Sequence, residues 1–178
     1  RLVLALDVSG SMACRDAGPD HQTPRLTQAV LGCETFIEEA IQANYSVGLI
    51  LWHHDIQGSV APSFSAGPAL NLLSTAHSSG GNDAVPFLSL AHRMLLAEPA
   101  GDMVVAIFGD GDLGPKARAQ AKAAEFIADS IRILTCGLGD ASAETLATIS
   151  TEPTAPRSAS SESIVESIVS MAAGLRKL

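Results

Sequence analysis

The segment LVLALDVSGSM (Leu2–Met12) decides the fold of this chain. Five apolar residues run without interruption up to Asp7, and Ser9 and Ser11 follow at alternate positions. A short apolar run bounded by polar residues is typical of a buried strand. Continuous rather than alternating hydrophobicity is typical of a parallel sheet that is covered on both faces. The segment therefore predicts a buried first strand that ends in one acid and two hydroxyls.

The rest of the chain alternates strand-like apolar runs with amphipathic helical patterns. The further strand-like runs are YSVGLILWH, GSVAPSF, MVVAIFGD, SIRILTCGL and TAPRSAS. Helical periodicity separates them, most clearly in RLTQAVLGCETFIEEAIQA, DAVPFLSLAHRMLLAE and SESIVESIVSMAAGLRKL. GSVAPSF is polar, brief and interrupted by Pro62, which predicts a short edge strand. This alternation predicts a doubly wound α/β fold, in which helices cover both faces of a mostly parallel sheet.

Composition and charge narrow the class of protein. The chain has 178 residues, of which 47% are hydrophobic and 17% charged, as in a globular domain. Its net charge of -8 argues against nucleic acid or an anionic membrane as the main partner, since both require a basic surface. No apolar run approaches the roughly 20 residues of a membrane-spanning helix, and we expect no signal peptide. Three widely spaced cysteines, Cys14, Cys33 and Cys136, predict no disulfide framework and favour a reducing compartment.

Polar side chains are expected to gather at the carboxyl edge of this sheet, because ligands of open parallel α/β sheets bind outside the carboxyl ends of the strands. Asp7, Ser9 and Ser11 follow the first strand, Asp110 follows the MVVAIFG run, and the SSGGND segment precedes a predicted helix. Carboxylate, hydroxyl and amide oxygens are hard ligands that suit Mg2+ or Mn2+ without sulfur or imidazole. The pattern predicts a divalent-cation site at this edge.

DVSGSM (residues 7–12) resembles the DxSxS signature of the von Willebrand factor type A (VWA) domain, which is the core of that family's metal-ion-dependent adhesion site. SSGGND (residues 78–83) resembles the family's second loop, and IFGDGD (residues 107–112) resembles its third, in the same order. The resemblance implies a single VWA-like domain over residues 1–178. Its fold would be a Rossmann-like three-layer sandwich around a mostly parallel six-stranded sheet with one short antiparallel edge strand.

The resemblance also implies which residues hold the metal ion. Asp7, Ser9, Ser11 and Asp110 match the family's metal-site residues, directly or through water, and Asn82 stands where the family has threonine. Three arrangements stay open there: Asn82 binds the ion through its amide oxygen, Asp83 takes its place, or the metal site has lapsed. Because four of the five positions match, we expect a retained site for Mg2+, with Mn2+ or Ca2+ as alternatives.

The function implied by the resemblance is metal-dependent protein–protein interaction, in which an Asp or Glu of a protein partner binds the ion. Such a domain is not an enzyme. A haloacid-dehalogenase-like Mg2+-dependent phosphatase is one alternative, but that chemistry needs a second acid at the position of Ser9. A scaffold domain with a lapsed metal site is the other. The alanine-rich chain without a disulfide framework resembles intracellular bacterial members of the family, so we expect a cytoplasmic location.

Two further polar segments are expected near this edge of the sheet. The loop from Ala13 to Thr23 is interpreted as a polar connector on the same face, where it helps to select the partner. His53 and His54 follow the second strand-like run. Because adjacent residues of a strand point to opposite sides, we expect one of these histidines to be packed and the other exposed.

Overall fold

The computed structural model describes residues 1–138, 143–151, 157–159 and 163–175, and it contains a six-stranded sheet between two layers of helices. The strands are β1 (Leu2–Asp7), β2 (Arg15–Ala17), β3 (Thr23–Pro24), β4 (Val47–Trp52), β5 (Ile56–Ser63), β6 (Val104–Gly109), β7 (Arg132–Leu138) and β8 (Arg157–Ala159). The helices are α1 (Arg25–Gln42), α2 (Gly67–Leu73), α3 (Ala84–Leu96), α4 (Lys116–Ala128), α5 (Ala143–Ala147) and α6 (Ile164–Ser170). Short 3-10 helices cover Gly10–Ala13 and Met171–Gly174. Within the described ranges, no helix has both the length and the apolar character needed to cross a bilayer.

The strand order in the main sheet is β5-β4-β1-β6-β7-β8. The four pairings from β4 through β8 are parallel, whereas β5 pairs antiparallel with β4. The predicted mostly parallel six-stranded sheet is thereby confirmed. The strands β4 and β5, which follow in the chain, lie on one side of β1, whereas β6, β7 and β8 lie on its other side. The strand order therefore reverses between β1 and β6. Ligands of open α/β sheets bind at this point, outside the carboxyl ends of the strands.

The central position of β1 explains its uninterrupted apolar sequence. Leu2, Leu4 and Leu6 pack in the core that includes α1, α2 and α6, while Val3 and Ala5 pack in the core that includes α3 and α4. All five side chains are fully buried. Because successive side chains of a strand point to opposite faces, a strand covered on both faces needs an apolar residue at every position.

The edge strand is antiparallel, as predicted, but it is not short. β5 runs for eight residues from Ile56 to Ser63 and is the longest strand in the described part of the chain. Pro62 lies between Val60 and Ser63, where the register of the pairing with β4 shifts. Proline is tolerated at edge strands and at such irregularities, so Pro62 lies within the strand, which also begins two residues before the predicted run.

The connector after the DVSGSM segment is more ordered than predicted. Residues 13–23 were expected to form a loop, but Arg15–Ala17 (β2) pairs antiparallel with Thr23–Pro24 (β3) in a separate two-stranded sheet. At the other end of the chain, Arg157–Ala159 forms the last strand, while residues 154–156 and 160 of the predicted strand lie outside the described residues.

Candidate metal centre

The chain turns sharply after β1 and collects three oxygen-bearing side chains. Ser9 donates its backbone N–H to Asp7 Oδ1 at 2.8 Å, and the hydroxyl oxygens of Ser9 and Ser11 lie 3.1 Å apart. Asp7 and Ser9 are 0% and 1% exposed, whereas Ser11 is exposed at the start of the 3-10 helix. The spacing by two residues thus places a buried carboxylate and two hydroxyls in one turn.

The end of β6 brings a second carboxylate to the same place. The Ser11 hydroxyl donates to Asp110 Oδ2, and the backbone N–H of Asp110 lies 3.3 Å from Asp7 Oδ2. Gly109 precedes it, and a Cβ atom added there would lie 2.9 Å from Asp7 Cβ. Because such an approach is closer than real Cβ atoms make, a side chain at position 109 would displace the Asp7 carboxylate.

The loop between α2 and α3 forms the third side of the site. Asn82 Nδ2 lies 3.3 Å from Asp7 Oδ2. Two backbone hydrogen bonds hold this loop against the turn after β1, from Ser79 N–H to Val8 O at 2.8 Å and from Gly10 N–H to Gly80 O at 3.0 Å. The structure therefore brings together the five residues that align with the family's metal site, here named the Asp7 cluster: Asp7, Ser9, Ser11, Asn82 and Asp110.

Asp83 has a different role from its neighbour. Its carboxylate accepts the Val85 N–H at 2.9 Å and caps the N-terminus of α3. Of the two residues considered in place of the family's threonine, Asn82 is therefore the one that contacts Asp7 in this structure. The capping role had a signal in the sequence, because aspartate directly before a helix with proline in its first turn is a common start of a helix.

Burial makes Asp7 an unusual carboxylate. Desolvation raises the pKa of Asp7 from its ordinary 3.8 to about 7, and the negative charge of Asp110 contributes in the same direction. The hydrogen bonds from Ser9 and from the Asp110 backbone lower the pKa and oppose this rise. Among the described residues, no lysine or arginine forms an ion pair with Asp7. A buried carboxylate without a cationic partner is unfavourable, and Asp7 has no such partner there, although the positive charge of Arg25 acts on Asp110.

The side chains of the Asp7 cluster fit a hard divalent cation. Two carboxylates, two hydroxyls and one amide offer only oxygen ligands, which Mg2+, Mn2+ and Ca2+ prefer. Over the part of the chain that the structure describes, no group of three or more His, Cys, Asp or Glu side chains is placed to hold a metal ion. A cation here would thus depend on the neutral oxygens of Ser9, Ser11 and Asn82 together with the two acids. Rotation of the Asn82 side-chain amide turns its oxygen instead of its nitrogen toward Asp7, which is the orientation that a cation requires.

An ion pair that was not predicted from the sequence joins the β2–β3 hairpin to α1. Arg25, the first residue of α1, donates to both carboxylate oxygens of Asp16, with Nε–Oδ1 at 2.8 Å and Nη2–Oδ2 at 2.5 Å. The hydrogen bonds from Arg25 hold the pKa of Asp16 below its ordinary value. Because the hairpin directly follows the 3-10 helix that carries Ser11, this ion pair positions the segment beside the Asp7 cluster. No periodicity or motif connects the two residues in the sequence.

His53 and His54 stack on each other in the turn between β4 and β5. Their ring centroids are 4.4 Å apart, and the ring planes are inclined by 28°. His53 is half-buried and His54 is exposed, but the rings do not point to opposite sides as expected. The alternation of strand side chains does not apply, because β4 ends at Trp52 and both histidines lie beyond it.

Comparison with known proteins places this architecture in a family. The family model of the von Willebrand factor type A domain matches residues 2–112, while no curated protein matches the chain. The vWF domain of the type V pili tip protein Mfa5 from Porphyromonas gingivalis superimposes with a TM-score of 0.81 at 11% identity, over 97% of this chain and 93% of that chain. A von Willebrand factor type A protein from Catenulispora acidiphila gives 0.74 at 17% identity, over 97% and 41%. The manganese-loaded Plasmodium vivax TRAP protein gives 0.73 at 17% identity, over 94% and 70%.

At these identities the solved structures show a shared fold. The chain spans 66% or less of the length of several of the structures that it matches. The family match covers more than half of the chain and includes every residue of the Asp7 cluster. The fold, its strand order and the match of the family model lead to one conclusion: the chain belongs to the von Willebrand factor type A domain family.

Proposed function

We propose that this domain is a metal-dependent protein-interaction module that binds an Asp or Glu of a partner protein through a Mg2+ ion held at the Asp7 cluster. One observation carries the proposal: a buried carboxylate, a second carboxylate and two hydroxyls gather where the strand order reverses, with no lysine or arginine of the described residues paired to Asp7. Two structural neighbours support it, since one is manganese-loaded and another is a pilus tip protein. Mn2+ and Ca2+ are the alternative ions.

Each side chain of the cluster has a distinct part in this proposal. Asp7 and Asp110 provide the negative charge, while the hydroxyls of Ser9 and Ser11 and the amide oxygen of Asn82 provide neutral ligands, directly or through water. When bound, the ion supplies an electrophilic centre for an external carboxylate. Because neutral oxygens rather than further acids surround it, the site leaves the ion attractive to an acidic side chain of the partner.

The proposal includes no catalytic role. The phosphatase alternative requires an acid two residues after the nucleophilic aspartate, and Ser9 occupies that position in contact with Ser11. An aryl phosphate assay with Mg2+ tests this point, since turnover that is lost in Asp7→Asn would show an enzyme instead. A cytoplasmic location stays a prediction from composition.

Calorimetric titration of Mg2+, and then of Mn2+, into chelator-stripped protein tests the metal site. We expect saturable binding by the wild type and none by Asp7→Ala. Asp112→Asn is the matched control, because the Asp112 carboxylate is exposed and accepts a hydrogen bond from Gly114 N–H at 2.9 Å rather than from the cluster. It should bind like the wild type. If the folded wild type binds neither of these ions nor Ca2+, either the site needs the partner's carboxylate to hold its ion or the domain is a scaffold whose metal site has lapsed.

Relaxation of water protons by bound Mn2+ tests whether the ion accepts an external carboxylate. The bound ion should relax solvent water efficiently, and added acetate, which carries the same carboxylate as Asp and Glu, should reduce this effect by displacing water. Chloride at the same ionic strength is the control. An effect of acetate no larger than that of chloride would contradict the proposed mode of partner binding.

A further inference from the structure

We propose that the His53–His54 pair is a proton-sensitive brace for the loop that carries Asn82. While His53 is neutral, the pair holds this loop against the rest of the site, and protonation of His53 releases the loop. The existence of the brace follows from contacts outside the Asp7 cluster. Its effect on metal affinity rests on the function proposed above.

The hydrogen bonding of His53 sets its protonation state. The backbone N–H of Asp55 donates to His53 Nδ1 at 3.0 Å. Because a backbone N–H can only donate, Nδ1 must keep its lone pair, and the ring hydrogen of the neutral tautomer lies on Nε2. A proton on Nδ1 would face the Asp55 N–H and break this bond. The turn between β4 and β5 is therefore built around a neutral His53.

The pair contacts the Asn82 loop on both sides of Asn82. Gly80 has φ +71°, and a Cβ atom added there would lie 2.6 Å from His54 Nδ1 and 2.9 Å from His54 Cε1, so the His54 ring lies directly on the Gly80 backbone. On the other side, Asp83 N–H donates to His53 O at 3.1 Å. Movement of the histidine turn must therefore disturb the loop at both points.

The same loop reaches the turn after β1 through the hydrogen bond from Gly10 N–H to Gly80 O at 3.0 Å. Gly10 lies between Ser9 and Ser11 in the chain. Contacts thus connect the His54 ring through Gly80 to the turn after β1, which carries the Ser9 and Ser11 hydroxyls. Separate contacts connect His53 O through the Asp83 backbone to Asn82, the preceding residue.

The charged groups that face His53 favour its neutral state. Burial lowers the pKa of His53 below its ordinary 6.5, His54 and His77 lower it further, and Asp55 partly opposes them. His77 is held nearby because Gln57 Nε2 donates to His77 O at 2.8 Å. Since the folded pKa is depressed, the stability from neutral His53 is fully present above pH 6.5 and is lost as the pH falls through the lowered pKa.

Amide NMR spectra of the metal-free protein, recorded in chelator from about pH 8 to about pH 5, test the brace without any metal. We expect the amide signals of Asp55, Gly80 and Asp83 to share a midpoint below pH 6.5, separate from the shifts that the titration of Asp7 causes. His53→Asn retains an acceptor oxygen near the Nδ1 position but does not titrate in this range, so it should lose this midpoint. His92→Asn is the matched control, because His92 pairs with Asp129 at 2.7 Å between α3 and α4. It should keep the midpoint.

Asp7 titrates in all three proteins, so its contribution cancels in the comparison. The same midpoint for Gly80 and Asp83 in His53→Asn would overturn the proposal, as would titration of His53 at or above pH 6.5.

Mg2+ titrations of the wild type and His53→Asn at about pH 7.5 and about pH 6 then test the link to the metal. We expect acidification to weaken binding about tenfold more in the wild type than in His53→Asn, which is the size typical of residues that position metal ligands. Equal weakening in both proteins would disprove the link. If neither protein binds Mg2+ at the higher pH, the proposed function fails, while the NMR comparison still decides whether the brace exists.

Discussion

At the scale of the residue, Asp7 is held in surroundings that oppose its own negative charge. Its folded pKa of about 7 lies above the ordinary 3.8. The stability that protonated Asp7 contributes is therefore fully present below pH 3.8 and is lost as the pH rises through 7. Without metal, ionisation of Asp7 at about pH 8 lowers the free energy of unfolding by an amount on the order of 4 kcal/mol.

Asp7→Asn should accordingly raise the melting temperature of the metal-free protein at about pH 8, because the amide stays neutral. At about pH 4 to 5 the difference from the wild type should be small, since the wild-type carboxyl is then protonated as well. Scanning calorimetry in chelator at both pH values measures the effect. A lower melting temperature for Asp7→Asn at the higher pH would show that the hydrogen bonds from Ser9 and Asp110 outweigh the cost of burial.

Asn82 is the other residue whose contribution is measurable by itself. Its amide lies 3.3 Å from Asp7 Oδ2, at the rim rather than in the buried centre of the cluster. Asn82→Ala should weaken Mg2+ binding by about tenfold without abolishing it, because it removes one neutral ligand or a group that orients Asp7. Calorimetric titration beside Asn82→Thr provides the comparison, and the threonine variant should retain more affinity. Complete loss in Asn82→Ala would mean that the amide is as necessary as Asp7.

At the scale of the element, α6 packs on α1 through a glycine. A Cβ atom at Gly32 would lie 2.9 Å from Ile168 Cβ and 3.1 Å from Ile168 Cδ1. Gly32→Ala would gain roughly 1 kcal/mol in helix propensity, but overpacking of a buried contact costs about 1–3 kcal/mol. We expect a net loss of stability, on the order of 1 kcal/mol, and a melting temperature lower by about 2–4 °C.

Thermal unfolding of Gly32→Ala beside Gly101→Ala isolates this packing effect. A Cβ atom at Gly101 would meet nothing within 4 Å, so that variant should melt close to the wild type. A stabilised Gly32→Ala would show that α6 moves away from α1 at little cost.

At the scale of the whole molecule, the position of each strand in the sheet determines how stable that strand is against local opening. β1 is paired on both sides and fully buried, whereas β5 is paired on one side and partly exposed. Hydrogen exchange should therefore be slowest in β1 and faster in β5 and in the β2–β3 hairpin, since exchange follows local opening. Mass spectrometry of peptides from each strand measures this order. Protection of β5 equal to that of β1 would indicate that its outer edge is covered in solution.

The fold was predictable because its main signals are local in the sequence. The run ending at Asp7 could be recognised as central since burial on both faces demands continuous hydrophobicity. The predicted run from Gly58 to Phe64 already included Pro62, which the register shift accommodates, and its length was underestimated because β5 begins two residues earlier, at Ile56. The β2–β3 pair was missed because strands of three and two residues carry no period to detect.

The sequence by itself determined the α/β class, the central strand and the polar residues that end the strands, since hydrophobicity, periodicity and motif spacing are properties of neighbouring residues. Only the tertiary structure decided that Asn82 rather than Asp83 contacts Asp7. The same holds for the ion pair between Arg25 and Asp16, which anchors the hairpin, and for the packing of the His54 ring on Gly80. These contacts join side chains from different elements and loops of the fold. Their geometry depends on how the strands are ordered, and no local pattern encodes it.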